Sequence, residues 1–346
     1  MKLMRRLSAL LLCLSSLSAS ARPIDVPADK AWQHARTGVI LRSHLGGLVR
    51  ASLEDAGSDE VDLAAGYNDA ATGTIGTIFL FHPGIASVPM WFDRAQSAML
   101  AQKVYGTAEP ASPVPSSVKP EATQDSLRIV YAMQGGEMQS IGLAAIPVGD
   151  WLLIVRLSSH TLDRSALDAR LTGVLNEIGL PANRPAAPVA TPIAACPNLL
   201  TYKKARLLSA DMTQALLNAM LPQVATKKDK SDSKPVTYCR DREAPDAQWA
   251  VYRADADTKA YVMSLGDGGS SISVAPALVL KGGPAYSITL YGLDRLTTYP
   301  NVSALLPPEQ AYDIVAHTRA LTAVSTLHDD GKTNITINSA ALGKNK

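Results

Sequence analysis

The stretch SLRIVYAMQGGEMQSIGLAAIPVGDWLLIVRLSSHTLDRSALDARLTGVLNEIG (Ser126–Gly179) decides how the first half of the chain is read. Its runs Ser126–Met133, Met138–Val148 and Trp151–Ser158 are rich in apolar and β-branched side chains, the composition of strands. From Thr161 the pattern changes. Leu162, Leu167, Leu171, Val174 and Ile178 recur at helical spacing and line one side of a closing helix. Upstream, Thr37–Arg42, Gly47–Leu53, Glu60–Tyr67 and Gly73–His82 read as four further strands, separated by Gly, Asp and Asn. Between the two groups, Ser87–Gly106 reads as a helix capped by Ser87, with Trp91, Ala95, Ala98 and Gln102 along one face. Four strands, a helix, three strands and a helix imply an α+β fold. Its sheet is largely antiparallel and covered by helices, an order that fits an α/β/α sandwich.

The second half repeats the class with different elements. A helix is expected over Ala205–Leu221, then strands at Gln248–Asp255, Lys259–Gly266, Ser271–Leu280 and Tyr286–Leu293. A helix over Pro308–Ala320 and a terminal hairpin around Asp330-Gly331 complete this second α+β pattern. Pro185, Pro188 and Pro192 among alanines mark residues 183–195 as a stiff linker, so domains over 29–182 and 196–346 are expected. The Pro-rich stretch Thr107–Ala122 reads as an exposed excursion from the first domain. With only three Phe, both cores must be filled by Leu, Val, Ile and Ala.

The chain opens MKLMRRLSALLLCLSSLSASARP. Lys2, Arg5 and Arg6 form a basic start, Leu7–Leu17 is apolar but short for a bilayer, and Ala19-Ser20-Ala21 supplies small residues for cleavage. Residues 1–21 therefore read as a signal peptide cut near Ala21, delivering a periplasmic or secreted protein. Lipidation of Cys13 is the rival, disfavoured by the bulky Leu12 before it. No later run is long enough to predict a membrane span. Without the leader, 30 basic side chains face 31 acidic ones, which gives no field for nucleic acid. The run KKDKSDSK (Lys227–Lys234) is broken by acids and reads as a solvated loop.

Cys13 leaves with the leader, so Cys196 and Cys239, 43 residues apart, are the two cysteines of the expected exported chain. An even pair in an oxidising compartment predicts a disulfide. Closing such a loop is worth roughly 4 kcal/mol on the chain-entropy account. Arg240 and Arg242 beside Cys239 would suit a reactive thiolate, and zinc would want CxxC or HxxxH spacing; the staple is the stronger reading.

No motif assembles a reaction. The SxxK strings Ser116–Lys119 and Ser231–Lys234 lie in loop-like sequence without their companion motifs, and GxSxG is absent. Leu265–Val274 has the glycines of a phosphate cradle but sits between strands, where Asp267-Gly268 reads as a turn. Asp255 and Asp257 begin a calcium-loop pattern that Lys259 interrupts. His34, His44, His82, His160, His317 and His328 are scattered, each read as a surface or capping residue. Met90–Arg94 (MWFDR) reads as an anchor of helix to sheet. Asn301 and Asn334 stand in glycosylation sequons. The expectation is an exported two-domain accessory or binding protein of the cell envelope, meeting a protein or small-molecule ligand. No catalytic residue, cofactor or metal site is expected. The alternatives are an exported hydrolase assembled from distant residues and a structural partner of an envelope complex.

Overall fold

The computed structural model describes residues 21–116, 124–210, 212–228, 236–279, 283–327 and 334–342, which build two large antiparallel sheets and four α-helices. The first sheet has ten strands. Its six long ones are β1 (Leu48–Asp55), β2 (Asp62–Asp69), β3 (Thr74–Phe81), β4 (Ser126–Gln134), β5 (Ser140–Val148) and β6 (Trp151–Ser159). They lie in the order β1-β2-β3-β6-β5-β4, each neighbouring pair antiparallel. The β5–β6 turn holds two residues, and Gly149 at its first position has φ +68°. That conformation favours glycine there.

The first expected strand is corrected, and the Pro-rich excursion, exposed as expected, also gains strand pairing. Ile40–Leu41 is not a strand of the large sheet: it pairs with Trp32–Gln33 in a separate two-stranded sheet, and Ile40 also bridges Gly179 just past α2. The Pro-rich stretch, as far as Ser116, pairs with β4 through Thr107–Ala108 and Val114–Ser116. Pro115 is tolerated because this is a sheet edge. Residues 117–122 lie outside the described residues.

Strand β5 is buried at all nine positions because both of its faces are covered. Successive side chains alternate between faces. Ile141, Leu143 and Ala145 share a core with Met90, Trp91, Phe92, Ala95 and Met99 of α1 (Val88–Leu100). Ala144 and Ile146 share the other core with Leu167, Leu171 and Val174 of α2 (Arg164–Glu177). Ser87 caps α1, accepting from the Met90 N–H at 3.4 Å, and Asp163 caps α2 in the same way at 2.8 Å.

The second sheet has nine strands in chain order. They are β7 (Ala194–Ala195), β8 (Tyr238–Glu243), β9 (Trp249–Ala254), β10 (Tyr261–Leu265), β11 (Ser270–Pro276), β12 (Tyr286–Tyr291), β13 (Arg295–Thr298), β14 (Thr322–Ser325) and β15 (Ile335–Ile337). Only β7 runs parallel to its neighbour, β8. The strands β14 and β15 pair antiparallel, as a terminal hairpin requires, while Asp330-Gly331 lies outside the described residues. Helix α3 (Met212–Lys228) begins later than the sequence suggested. Residues 203–208 are instead held alongside 301–305, with Lys203 N–H on the Leu305 carbonyl and Leu208 N–H on the Asn301 carbonyl, both at 2.8 Å. Helix α4 (Pro308–His317) places Ala311 and Ile314 against Val274, Ile288 and Leu306.

Alternation along β9 joins the two sheets. Val251 enters the core beneath α4, while Ala250 and Tyr252 complete the core around α1. Helix α1 thus packs against both sheets. Two glycines permit the contact: a Cβ on Gly84 would lie 2.4 Å from that of Tyr291, and one on Gly269 (φ +93°) would meet Phe81 at 2.8 Å. Residues 184–195 are seated and do not stand free. Arg184 pairs with buried Asp125 at 3.0 Å, and the N–H of buried Ala190 reaches the Gln124 carbonyl at 2.9 Å. No helix among the described residues is long and apolar enough to cross a membrane.

Candidate functional site

The chemistry of this chain concentrates where α1 meets β8 and β9. In MWFDR the first three side chains are buried in the core around α1, and helical rotation carries Asp93 and Arg94 toward the second sheet. Arg94 has no solvent exposure. Its Nε donates to the Gly266 carbonyl at 3.1 Å, Nη1 to Glu243 Oε1 at 2.6 Å, and Nη2 to the Ala247 carbonyl. All three acceptors belong to the second sheet and its turns, so this one guanidinium bridges elements about 150 residues apart in sequence.

Asp93 is held between two donors. The Tyr252 hydroxyl donates to Oδ2 at 2.6 Å, and Arg240 Nη1 donates to both oxygens at 3.2 Å. Burial pushes the Asp93 carboxyl above the ordinary carboxylate range, against the opposing pull of Tyr252 and Arg240. Burial also raises the Tyr252 phenol, with Asp93 adding to the effect. Arg240 and Tyr252 are direct partners across β8 and β9, so both can address Asp93. Arg240 Nη1 reaches Glu243 Oε2 as well, at 3.4 Å.

A β-bulge between Arg240 and Arg242 separates two sets of charges. Asp241 points away from the α1 cluster. Its carboxylate accepts from the Leu200 N–H at 2.9 Å and the Tyr202 hydroxyl at 3.3 Å, and it pairs with buried Arg253 at 3.3 Å. Arg253 also donates to Cys196 Sγ at 3.2 Å. The disulfide joins Cys196 to Cys239 with 4.9 Å between Cα atoms, and the Cys196 N–H bonds the Arg240 carbonyl at 2.9 Å. The staple therefore holds the segment around Pro192 and Ile193 against the strand that carries Arg240.

A cleft of about 470 Å³ opens beside this cluster. Asp93, Glu243 and Arg240 are its polar side, and Phe92, Leu100 and Ile193 are among its apolar walls. Two other cavities span both halves of the chain. One, of about 400 Å³, lies between the start of α1, residues 186–191 and Val236–Tyr238. The other, of about 240 Å³, holds Asp62, Arg156 and Asp267 against Phe79 and Phe81. Burial lifts Asp62 above the ordinary carboxylate range, and Asp55 and Asp267 reinforce that shift. Arg156 pairs with Asp267 while its guanidinium lies 5.1 Å from the Phe79 ring centre.

The residues singled out from sequence fall in varied places. His82 is buried, with Nδ1 2.6 Å from the Leu293 carbonyl, so it belongs to the contact between the sheets and not to the surface. His34 is wholly buried between Trp32 and Trp151, and that burial lowers its pKa to about 4. His44, His160 and His317 stay exposed; His328 lies outside the described residues, as do Ser117–Lys119 and Ser231–Lys234. Asp267-Gly268 occupies the β10–β11 turn as expected, yet its carboxylate also reaches across to Arg156. Asn301 is buried and accepts from Asn218 Nδ2 at 2.9 Å, so its sequon is closed in the folded chain; Asn334 is exposed. No set of three or more His, Cys, Asp or Glu among the described residues is grouped to hold a metal ion. Sequence reading missed Asp93, Arg94, Arg240 and Glu243 as one constellation. Adjacent charges inside the apolar run MWFDRA were the signal available.

Comparison of the chain with protein-family models, with curated proteins and with solved structures found no match.

Proposed function

We propose that this chain is an exported accessory or binding protein of the cell envelope, built as domains over 29–182 and 196–346, whose ligand seat is the cleft between α1 and β8. One observation carries the reading: the cleft joins apolar walls to a polar side whose charges are already pinned by ion pairs. Pinned charges orient a ligand, whereas proton transfer needs a group free to change its partners. The disulfide supports the exported part of the proposal, since such bonds persist outside the reducing cytoplasm. A screen of small amphiphiles by thermal shift tests the seat. Hits should raise the melting temperature of the wild type and lose that effect in Ser97→Trp, which fills the cleft. Hits that stabilise both proteins equally refute the assignment. Fractionation and N-terminal sequencing test export, with a mature chain beginning near Arg22 expected.

A second reading, an exported hydrolase, draws on the cavity that holds Asp62 and Asp267. A carboxyl whose pKa is raised by burial, near a second carboxylate, suits acid–base work. Turnover of an ester or glycoside panel abolished by Asp62→Asn would favour it over binding alone.

A further inference from the structure

We infer that the cleft between α1 and β8 takes a singly charged carboxylate with an apolar body, its head held by the Nε and Nη2 edge of Arg240. The inference rests on the cleft being the ligand seat and names the ligand class. Every hydrogen bond of the Arg240 side chain among the described residues leaves through one nitrogen, Nη1, to Asp93 and Glu243. Nε and Nη2 have no partner there, and Arg240 lines the cleft with about a third of its side chain exposed. Those two nitrogens form the planar fork that receives a carboxylate through two parallel hydrogen bonds.

Every carboxylate oxygen nearby already receives at least one donor, whereas Nε and Nη2 of Arg240 have no acceptor among the described residues. Both Asp93 oxygens receive Arg240, one also receives Tyr252, and the two Glu243 oxygens receive Arg94 and Arg240. The cluster thus offers donors, and a ligand must supply acceptors. Charge then limits the head. Arg94 and Arg240 balance Asp93 and Glu243, so there is no surplus positive field for a phosphate dianion, and the C-terminal end of α1 at Leu100 and Ala101 adds negative potential. An ammonium head would meet the guanidinium itself. Phe92, Leu100, Pro113, Pro192, Ile193 and Pro245 supply the apolar wall for the body. The ion pairs to Asp93 and Glu243 set the fork in place before binding, and the disulfide positions the wall at Pro192 and Ile193.

Calorimetric titration of the oxidised full chain separates these contributions, with decanoate, decanol and decylamine as probes below their micelle concentrations. Decanoate should bind one to one, about tenfold or more tighter than decanol, and decylamine weakest. Arg240→Lys keeps the charge and loses the fork; it should weaken decanoate about tenfold and leave decanol unchanged. Ile193→Ser should weaken both, and near-ultraviolet dichroism checks that each variant is folded. An apolar pentapeptide with a free C-terminus, run beside its amide, shows whether the same head can arrive on a peptide. Equal affinity for decanoate and decanol, or an unaltered decanoate affinity in Arg240→Lys, overturns the carboxylate assignment while the cleft stands as a ligand seat. Absence of saturable binding by all three probes overturns the ligand class, and the Ser97→Trp screen then decides the seat by itself.

Discussion

Strand β5 is buried at every one of its nine positions and carries no charge, whereas β8 packs four charged side chains into six residues. The first is wholly buried and the second largely half-buried, and they meet different neighbours. Around β5 the covering surfaces are helix side chains, so apolar area alone suffices. Around β8 the neighbours include turn carbonyls at Gly266 and Ala247, which need donors when water is excluded. Arg94 meets that need from α1, and Glu243 and Asp93 then balance the charge it brings. A helix packed between a sheet and a set of turns must be greasy on one side and ionic on the other.

The sharpest way to break this contrast is Arg94→Met. It leaves half-buried Glu243 with Arg240 alone as its cation and two carbonyls without a donor, a loss of about 3–5 kcal/mol in urea unfolding. Leu143→Ala on the apolar side should cost about 2–5 kcal/mol through cavity formation alone, and unlike Arg94→Met it should not respond to salt. Replacing both Cys196 and Cys239 by Ser should cost up to about 4 kcal/mol, with hydrogen exchange rising first around β7 and β8.

Acid sharpens the comparison further. His34 has its pKa lowered to about 4 by burial, so the folded chain binds its proton later than the unfolded chain does, at the ordinary 6.5. The stability it contributes is intact above pH 6.5 and is lost as pH falls toward 4, by roughly 3 kcal/mol in total. Asp62 and Asp93 act in the opposite sense. Their raised pKa values make the folded chain take up protons first, so stability recovers in part on further acidification. Urea midpoints of wild type and His34→Gln across pH 7 to 4 should converge at the acid end. The smallest effect belongs to the exposed Arg128–Asp168 pair, whose removal should change stability by less than about 1 kcal/mol.

Most of the first sheet was legible because its signals are local. The runs at β4, β5 and β6, the cap at Ser87 and the apolar face of α2 each lie within a few turns of chain. The short pairing at Ile40 and the late start of α3 were not legible, since both depend on what a distant segment offers. Residues 205–211 have helical composition, but the edge at 301–305 recruits the chain just ahead of α3 into extended pairing. The candidate site was hidden for the same reason. The arginines beside Cys239 and the MWFDR anchor are read separately, and nothing in either stretch says that Asp93 faces Arg240 across 147 residues.

By itself, the sequence determined the antiparallel, sheet-rich character of this protein, its helix caps and the cysteine pair available for bonding, because these follow from side-chain period, turn chemistry and the small number of cysteines. Only the tertiary structure decided that α1 would serve two sheets, that Gly84 and Gly269 would let them touch, and that four charges would gather beside one cleft. Hydrogen bonds and ion pairs act over a few ångströms, so which charges meet is settled by packing, and packing depends on the whole chain at once.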